Sequence, residues 1–348
     1  MLEKPELPEI LIASSVEQLY GLAVRRVSFL PLGYDVNTAI YQVEAAGDQQ
    51  YFLKLRKGVF QPITVELPKY LADRGIQAVM APLETQEGWL YGKMDTYVTI
   101  LYPFIPGKNG YETRLTDPQW IQLGQTMRII HAAQLPVELC RQISHERYDP
   151  QWRNSARIFL DQVKHDSFQD PIARLLAAFI QEKCELISHM LQRADELAQN
   201  LHNQPLEYVL CHNDAHPGNY HVTDTGDIYL VDWDTPIYAP RERDLMCFGG
   251  GMSGDQPGGR EEHLFHQGYG HIVVDQSALA YYRYERIIQD IAEFCKHILL
   301  TDAGGEDRAQ SYQYLASSFL PGSLVEAAIH TDEHAGSKTL AGRIYAGR

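Results

Sequence analysis

Three side chains able to work together chemically, Asp214, Asn219 and Asp232, occur close together in the second half of the chain. An aspartate can orient a hydroxyl group and accept its proton, and carboxylate and amide oxygens are ligands that Mg²⁺ prefers. Asn219 follows Asp214 by five positions, the spacing between base and metal ligand in the catalytic loop of kinases. The pattern therefore predicts phosphoryl transfer from ATP, with Asp214 as the base and with Asn219 and Asp232 as Mg²⁺ ligands.

The setting of these residues favours a site more than their spacing does. Asp and Asn are common turn formers, so the spacing alone has an ordinary explanation. Here the loop lies between two apolar runs, residues 208–210 and 228–231, which are typical of short buried strands. His212 and His216 suggest a second possibility, a hydrolase-type metal cluster, but the Pro–Gly pair at 217–218 disfavours the helix that such a cluster needs. We expect His216 to lie near the substrate or the phosphates.

The first part of the chain must supply the nucleotide-binding surface. Residues 24–101 consist of short alternating runs, with a hairpin predicted from residues 41–44 and 51–55. Residues 64–73 predict a helix with Pro68 in its first turn, where a missing N–H is tolerated. We expect these elements to form a β-rich lobe.

The rest of the chain is dominated by helical periodicity. Three segments are predicted: an N-lobe over residues 1–104, a helical C-lobe over 105–332 and a flexible tail over 333–348, which lacks apolar periodicity near its end. A strand is predicted around residues 89–91, and a long helical stretch over 171–202. The patterns predict an α+β fold of two lobes, with the catalytic loop in a β-rich island of the C-lobe.

Lys54, in the second strand of the hairpin, is the candidate cation for the ATP phosphates. Facing outward, it would be an ordinary solvated lysine. Glu66, on the following helix, is the natural carboxylate to hold it, and Glu44 is the alternative.

Two further segments are candidates for nucleotide binding. The loop at residues 31–38, with Gly33, has backbone N–H groups able to cover phosphates, although a single glycine is a weak signal. At the predicted hinge, Tyr102, Pro103 and Phe104 would offer backbone groups to adenine. A simple buried linker is the alternative there.

The composition excludes several classes of protein. Of 348 residues, 30 are basic and 45 acidic, and the net charge of −15 argues against an extended nucleic-acid surface. The five cysteines form no Cys-x-x-Cys pair, so neither a disulfide framework nor a zinc knuckle is predicted. No signal peptide or membrane-length apolar run is present. We expect a cytoplasmic monomer or weak homodimer that binds neither nucleic acid nor membrane.

The two motif segments, residues 212–219 and 231–234, resemble the signature of the aminoglycoside phosphotransferase family. The resemblance extends over residues 1–332 and includes segments 102–105, 208–212, 243–246, 249–251 and 281–287. It implies a bilobal, protein-kinase-like fold that uses ATP and Mg²⁺. It also implies transfer of the γ-phosphoryl group to a hydroxyl of a cationic aminocyclitol or aminoglycoside such as spectinomycin, with antibiotic resistance as the result.

The resemblance also implies roles for individual residues. Asp214 would be the base, Asn219 and Asp232 the metal ligands, and Lys54 a phosphate-binding residue. A substrate cleft would be lined by Asp234 and by a helix that carries Arg283, Glu285, Arg286 and Asp290. Arg283 and Glu285 are equally explained as structural ion-pairing residues. Two other functions stay open: a kinase of an endogenous amino alcohol or sugar, such as choline or homoserine, and a nucleotide-binding protein without transferase activity.

Overall fold

The chain packs into two units that alternate along the sequence. The computed structural model describes residues 3–33, 35, 37–248, 259–301 and 304–345, with side chains up to residue 335. The first unit contains residues 1–113, 135–142 and 218–235, and the second contains residues 114–134, 143–217 and those from 236 onward. The sequence predicted one boundary after residue 104, whereas here the chain returns twice to the first unit.

The described residues form twelve α-helices, eleven strands and two short 3₁₀ helices, Ala46–Asp48 and Pro217–Asn219. The helices are α1 (Glu9–Tyr20), α2 (Ile63–Asp73), α3 (Asp117–His131), α4 (Val137–Cys140), α5 (Gln151–His165), α6 (Pro171–Glu182), α7 (Cys184–His202), α8 (Glu242–Leu245), α9 (Arg260–Tyr269), α10 (Gln276–Leu299), α11 (Gly305–Ser317) and α12 (Leu324–Tyr345). The strands are β1 (Val24–Leu30), β2 (Thr38–Ala45), β3 (Gln50–Lys57), β4 (Gly92–Met94), β5 (Tyr97–Pro103), β6 (Gly107–Asn109), β7 (Ser144–His145), β8 (Tyr208–Cys211), β9 (Tyr220–Thr223), β10 (Ile228–Leu230) and β11 (Ile237–Pro240).

The first unit is built on a five-stranded antiparallel sheet in the order β1-β2-β3-β5-β4. Ile12 and Val16 of α1 are fully buried against this sheet, together with Tyr41 and Leu53. The predicted hairpin is confirmed as β2 and β3, because its alternating apolar residues supply one face of this core. A second, three-stranded sheet joins β6, β9 and β10.

Two predictions for the first unit are wrong in position. The strand expected at residues 89–91 begins only at Gly92, where a Cβ would lie 2.5 Å from the Leu19 side chain. Trp89 is instead exposed. Helix α2 begins at Ile63, so Pro68 is its sixth residue and lies beyond the first turn.

The second unit is mainly helical. Its central helix α10 packs against α5, α7 and α12, and Asp275 caps it by accepting a hydrogen bond from Ala278 N at 2.9 Å. The predicted helical stretch over residues 171–202 is two helices, which are separated at Lys183. The small sheet β7-β11-β8 leads through β8 into the loop at residues 211–219. These two units confirm the predicted α+β class.

The last helix extends further than the sequence predicts. Residues 335–345 continue α12, where the sequence predicted a tail without regular structure from residue 333. The segment has no apolar stripe, and this explains why periodicity did not reveal the helix. None of the helices in the described part of the chain is both long and apolar enough to cross a membrane.

Candidate active site

The loop that carries Asp214 is held by a buried carboxylate. Asp244, which is 0% exposed, accepts hydrogen bonds from the backbone N–H groups of His212 and Asn213 at 2.8 and 2.7 Å. His131 Nε2 lies 3.1 Å from the same carboxylate, and His131 Nδ1 lies 2.6 Å from the Tyr269 hydroxyl. Burial alone would raise the pKa of Asp244, but these hydrogen bonds outweigh it and lower the pKa. The loop is therefore anchored by an ionised side chain.

This anchor fixes the backbone immediately before Asp214. Asn213 has a φ of +77°, a left-handed conformation that costs energy for a residue with a side chain. Its side-chain oxygen accepts a hydrogen bond from Arg243 Nε, and its N–H is bonded to Asp244. Contacts to both the side chain and the backbone thus hold Asn213 in the conformation from which Asp214 follows.

The carboxylate of Asp214 is contacted on both oxygens. Arg286 Nη1 donates to Oδ1, and His216 Nε2 lies 3.5 Å from Oδ2. Burial acts to raise the pKa of Asp214, but Arg286 and His216 overcome it and hold the pKa well below its usual range. Asp214 is therefore ionised at neutral pH and is held in one orientation. His216, predicted to lie near the substrate or the phosphates, lies beside Asp214, and its role there stays a prediction.

Helix α10 adds further carboxyl groups near Asp214. Arg286 Nε lies 3.1 Å from Asp290 Oδ1, and Glu293 follows one turn later. Burial raises the pKa of Asp290, and the neighbouring Arg286 only partly opposes this. Burial also raises the pKa of Glu293, where a hydrogen bond from Gln289 is the main opposing contact. We call Asp214, Arg286, Asp290 and Glu293 the arginine cluster. It contains three carboxyl groups and one guanidinium group.

In the first unit, Lys54 contacts two carboxylates that follow β10. Its Nζ lies 2.8 Å from Asp232 Oδ1 and 2.8 Å from Asp234 Oδ2, and Arg56 Nη1 lies 3.0 Å from the same Asp234 oxygen. Burial would lower the pKa of Lys54, but Asp232 and Asp234 outweigh it and raise the pKa. We call Lys54, Arg56, Asp232 and Asp234 the lysine cluster. Its two cations and two anions balance.

The predicted partner of Lys54 is wrong. Glu66 accepts a hydrogen bond from Gln142 Nε2 at 3.0 Å, and Glu44, the alternative, lies 3.7 Å from Arg26. The carboxylates that reach Lys54 come from 178 and 180 positions along the chain, a separation that local pattern cannot reveal. Asp234 was predicted to contact the substrate, whereas here it binds Lys54 and Arg56.

The turn that presents Asp232 is also specifically built. Asp232 has a φ of +67°, and Trp233 Nε1 donates to Leu230 O at 3.1 Å, which buries the indole beneath the turn. Val231 N donates to Asn219 O at 3.0 Å. This backbone bond places the segments of Asn219 and Asp232, the two predicted metal ligands, next to each other.

The predicted adenine hinge is partly occupied by internal bonds. Tyr102 lies opposite Phe52 in the sheet, Pro103 ends β5, and the N–H of Phe104 donates to Gln50 O at 3.2 Å. Burial raises the pKa of Tyr102. Phe104 N–H is therefore already bonded, so adenine contacts would need other backbone atoms of this segment.

The predicted phosphate loop is only partly described. Gly33 has a φ of +79°, and Asp35 accepts bonds from Asn37 N at 2.9 Å and from Thr38 Oγ1 at 2.7 Å. These bonds form a tight turn that leads into β2. Tyr34 and Val36 lie outside the described residues, as do residues 249–251.

Two of the predicted substrate contacts lie in the helical core. Glu285, 5% exposed, pairs with Arg153 Nη1 at 2.6 Å. Arg283, 3% exposed, donates a hydrogen bond to Thr331 Oγ1. The carboxylate predicted to face the substrate thus faces the core, because Arg153 satisfies it there. Asp290 and Arg286, on the same helix, are the residues that lie near Asp214.

Donor atoms at metal-binding distance also occur in the anchor beneath the loop. Within the described ranges, the group of His, Cys and acidic residues close enough to hold an ion is His131, Cys211 and Asp244. Both ring nitrogens of His131 and both oxygens of Asp244 already take part in close polar contacts. His212 and His216, the alternative suggested by the sequence, do not form such a group.

Comparison with known proteins places these features in context. The model of the phosphotransferase enzyme family matches residues 28–282. Spectinomycin phosphotransferase, solved with ADP and spectinomycin, is 33% identical with a TM-score of 0.87, over 94% of this chain and 99% of that one. This agreement confirms the predicted protein-kinase-like fold. No curated protein matches the chain.

More distant kinases share the fold. A microcompartment-associated aminopropanol kinase is 16% identical with a TM-score of 0.62, over 94% of this chain and 99% of that one. The choline kinase of Streptococcus pneumoniae is 14% identical with a TM-score of 0.54, over 88% and 96%. At these identities the likeness concerns the fold alone.

Proposed function

Because this chain belongs to the phosphotransferase enzyme family, we propose that it is an ATP- and Mg²⁺-dependent kinase of a cationic aminocyclitol or aminoglycoside such as spectinomycin. Modification of the drug would confer resistance. The enzyme class, a phosphotransferase with a hydroxyl acceptor, follows from the family and its structural neighbours. The observation that carries the choice of acceptor is the similarity to spectinomycin phosphotransferase over nearly the whole of both chains.

The arginine cluster would carry the proton transfer. Asp214 orients the acceptor hydroxyl and takes its proton on a carboxylate oxygen. The hydroxyl oxygen forms a bond to the γ-phosphorus while the bond from that phosphorus to the β,γ-bridging oxygen breaks, which leaves ADP. Arg286 and His216 support this role because they keep Asp214 ionised and directed.

The first unit would hold the metal and the nucleotide. Asn219 and Asp232 offer the hard oxygen ligands that suit Mg²⁺. The Lys54 ammonium lies 2.8 Å from Asp232, so this carboxylate already accommodates a cation, which supports its assignment as a Mg²⁺ ligand. When bound, Mg²⁺ supplies charge neutralisation at the β and γ phosphates. Lys54 then binds phosphate oxygens in place of a carboxylate partner.

The charge of the arginine cluster supports a cationic acceptor. Asp290 and Glu293 add two carboxyl groups beside Asp214, and Arg286 balances one of the three. A protonated amine of the acceptor would offset part of the remaining negative charge. The ion pair with Arg153 supports a structural role for Glu285, and the proposal does not use Glu285 for acceptor binding.

The test is a panel of acceptors. Purified protein is incubated with ATP, Mg²⁺ and separately with spectinomycin, several aminoglycosides, choline, aminopropanol and homoserine, and products are identified by mass spectrometry. We expect spectinomycin or a related aminocyclitol to gain one phosphoryl group. The variant Asp214→Asn is the control: it should form no comparable product, which shows that the phosphorylation is due to this protein and not to a contaminating kinase.

Each outcome separates the functions considered. Phosphorylation of choline, aminopropanol or homoserine alone would overturn the antibiotic as acceptor and leave the kinase class intact. ATP binding without any product would favour a nucleotide-binding protein without transferase activity. The cytoplasmic location and the monomeric or weakly dimeric state stay predictions, for which fractionation and sedimentation are the tests.

A further inference from the structure

Arg56 occupies a position in β3 that resembles that of Lys54. Residues two apart in a strand point to the same face of the sheet, so Arg56 lies beside Lys54 on one face. Directly opposite Arg56 in β2 is Thr38, the first residue after the turn that holds Gly33. Arg56 therefore lies between Lys54 and the loop predicted to cover the phosphates.

The guanidinium group of Arg56 is only partly satisfied. Its Nη1 lies 3.0 Å from Asp234 Oδ2, an oxygen that Lys54 also contacts at 2.8 Å. Its Nε is buried and has no hydrogen-bond partner among the described residues. Buried N–H donors are nearly always bonded, so this donor points to a ligand. The side chain is nevertheless 17% exposed, which leaves it accessible.

The charges of the lysine cluster indicate what kind of ligand Arg56 would bind. With Arg56 the four side chains sum to zero, whereas without it the cluster would carry one net negative charge and repel a polyphosphate. The planar guanidinium donors match two phosphate oxygens at once. A nucleoside triphosphate fits both features.

We propose that Arg56 is a second phosphate-binding residue, which leaves Asp234 and binds the phosphates of the nucleotide together with Lys54. This inference rests on the proposed function, since it concerns the same ATP site. Asp234 holds both cations in place until the phosphates replace it.

Nucleotide binding tests this directly, without turnover. Titration calorimetry in the presence of Mg²⁺ compares wild-type protein, Arg56→Gln and Arg56→Lys with adenosine, ADP and a non-hydrolysable ATP analogue. We expect Arg56→Gln to weaken the analogue by about tenfold or more, because a charge-assisted hydrogen bond is lost. Adenosine, which has no phosphate, should bind as to the wild type. Arg56→Lys keeps the charge but not the fork and should give a smaller loss.

Lys57→Gln is the matched control. It removes the same charge from the next residue of β3, which is exposed on the opposite face over the Tyr97 ring at 4.8 Å. We expect wild-type binding of every ligand. Should Arg56→Gln fail to fold, Arg56→Lys carries the test, and unchanged analogue affinity in it would overturn the proposal.

The other outcomes distinguish the inference from the function. Unchanged analogue affinity in Arg56→Gln, or an equal loss of adenosine, overturns the role of Arg56 and leaves the kinase function standing. A wild-type protein that binds neither ADP nor the analogue overturns both. A loss confined to the phosphorylated ligands supports the proposal.

Discussion

The lysine cluster and the arginine cluster both pair charged groups of opposite sign, yet their charges are balanced differently. The lysine cluster has two cations against two carboxylates, with Asp234 shared by Lys54 and Arg56. The arginine cluster has one guanidinium among three carboxyl groups. A balanced cluster can exchange an internal partner for an anionic ligand, whereas a cluster with excess acid attracts a cation. The difference matches a nucleotide for the first and an aminated acceptor for the second.

The largest expected effect comes from the residue at the centre of the arginine cluster. Asp214→Asn keeps the shape of the side chain but removes the group that accepts the proton. We expect kcat to fall by about 10²- to 10⁴-fold while the affinity for the ATP analogue is retained. Steady-state kinetics and calorimetry measure the two quantities, and full turnover in this variant would reject Asp214 as the base.

A stability effect separates Glu285 from its neighbours on α10. Glu285→Gln leaves part of the Arg153 charge unpaired in the core, so we expect a loss of about 3 kcal/mol in the free energy of unfolding. The KM for ATP and the KM for the acceptor should both be unchanged. The control is Glu182→Gln at an exposed ion pair with Lys183, which should cost less than about 1 kcal/mol. Urea denaturation measures both, and a raised acceptor KM in Glu285→Gln would restore its predicted contact with the substrate.

Arg286 tests whether orientation of the base matters. Arg286→Ala removes a charge-assisted hydrogen bond to Asp214, and we expect kcat to fall about 10- to 100-fold. Added guanidinium ion should restore part of the rate in this variant. The affinity for the nucleotide should not change, because we assign nucleotide binding to the lysine cluster, of which Arg286 is not a member. A variant whose rate stays low at every guanidinium concentration would indicate a structural role only.

The smallest effect is expected at the edge of the arginine cluster. Asp290→Asn removes one carboxylate from the cluster where we propose that the acceptor amine binds. We expect the KM of a cationic acceptor to rise about fivefold, which corresponds to roughly 1 kcal/mol. The rise should shrink at high salt because charges at this site are screened. Asp161→Asn, on the exposed side of α5, is the control and should change nothing. An equal rise for a neutral acceptor would argue against the charge explanation.

Short-range patterns were enough to predict the hairpin and to select the candidate site residues. The hairpin carrying Lys54 was predicted from alternation, and Asp214, Asn219 and Asp232 were chosen from their positions between apolar runs. Their roles stay predictions. The sequence placed the start of α2 at residue 64, whereas the helix begins at Ile63. One proline, Pro62, lies immediately before the helix and another, Pro68, lies inside it, so the position of a proline did not indicate the first helical residue.

Contacts between distant residues could not be predicted in this way. Glu66 was chosen for Lys54 because it is near in sequence, but the carboxylates of Asp232 and Asp234 lie closer in space. Arg286 was placed on the right helix, yet nothing in its spacing indicated a bond to Asp214, 72 positions away. Asp244 lies in residues 243–246, one of the segments of the family resemblance, but nothing in the sequence indicated its bonds to the backbone of His212 and Asn213.

The amino-acid sequence by itself determined which groups are available for chemistry, because the order of base, amide and acid within one loop and one turn persists in any packing. Only the tertiary structure decided which cation meets which carboxylate. Ion pairs are set by distances of a few ångströms, and those distances arise when β3 lies beside the turn after β10 and when α10 lies beside the catalytic loop.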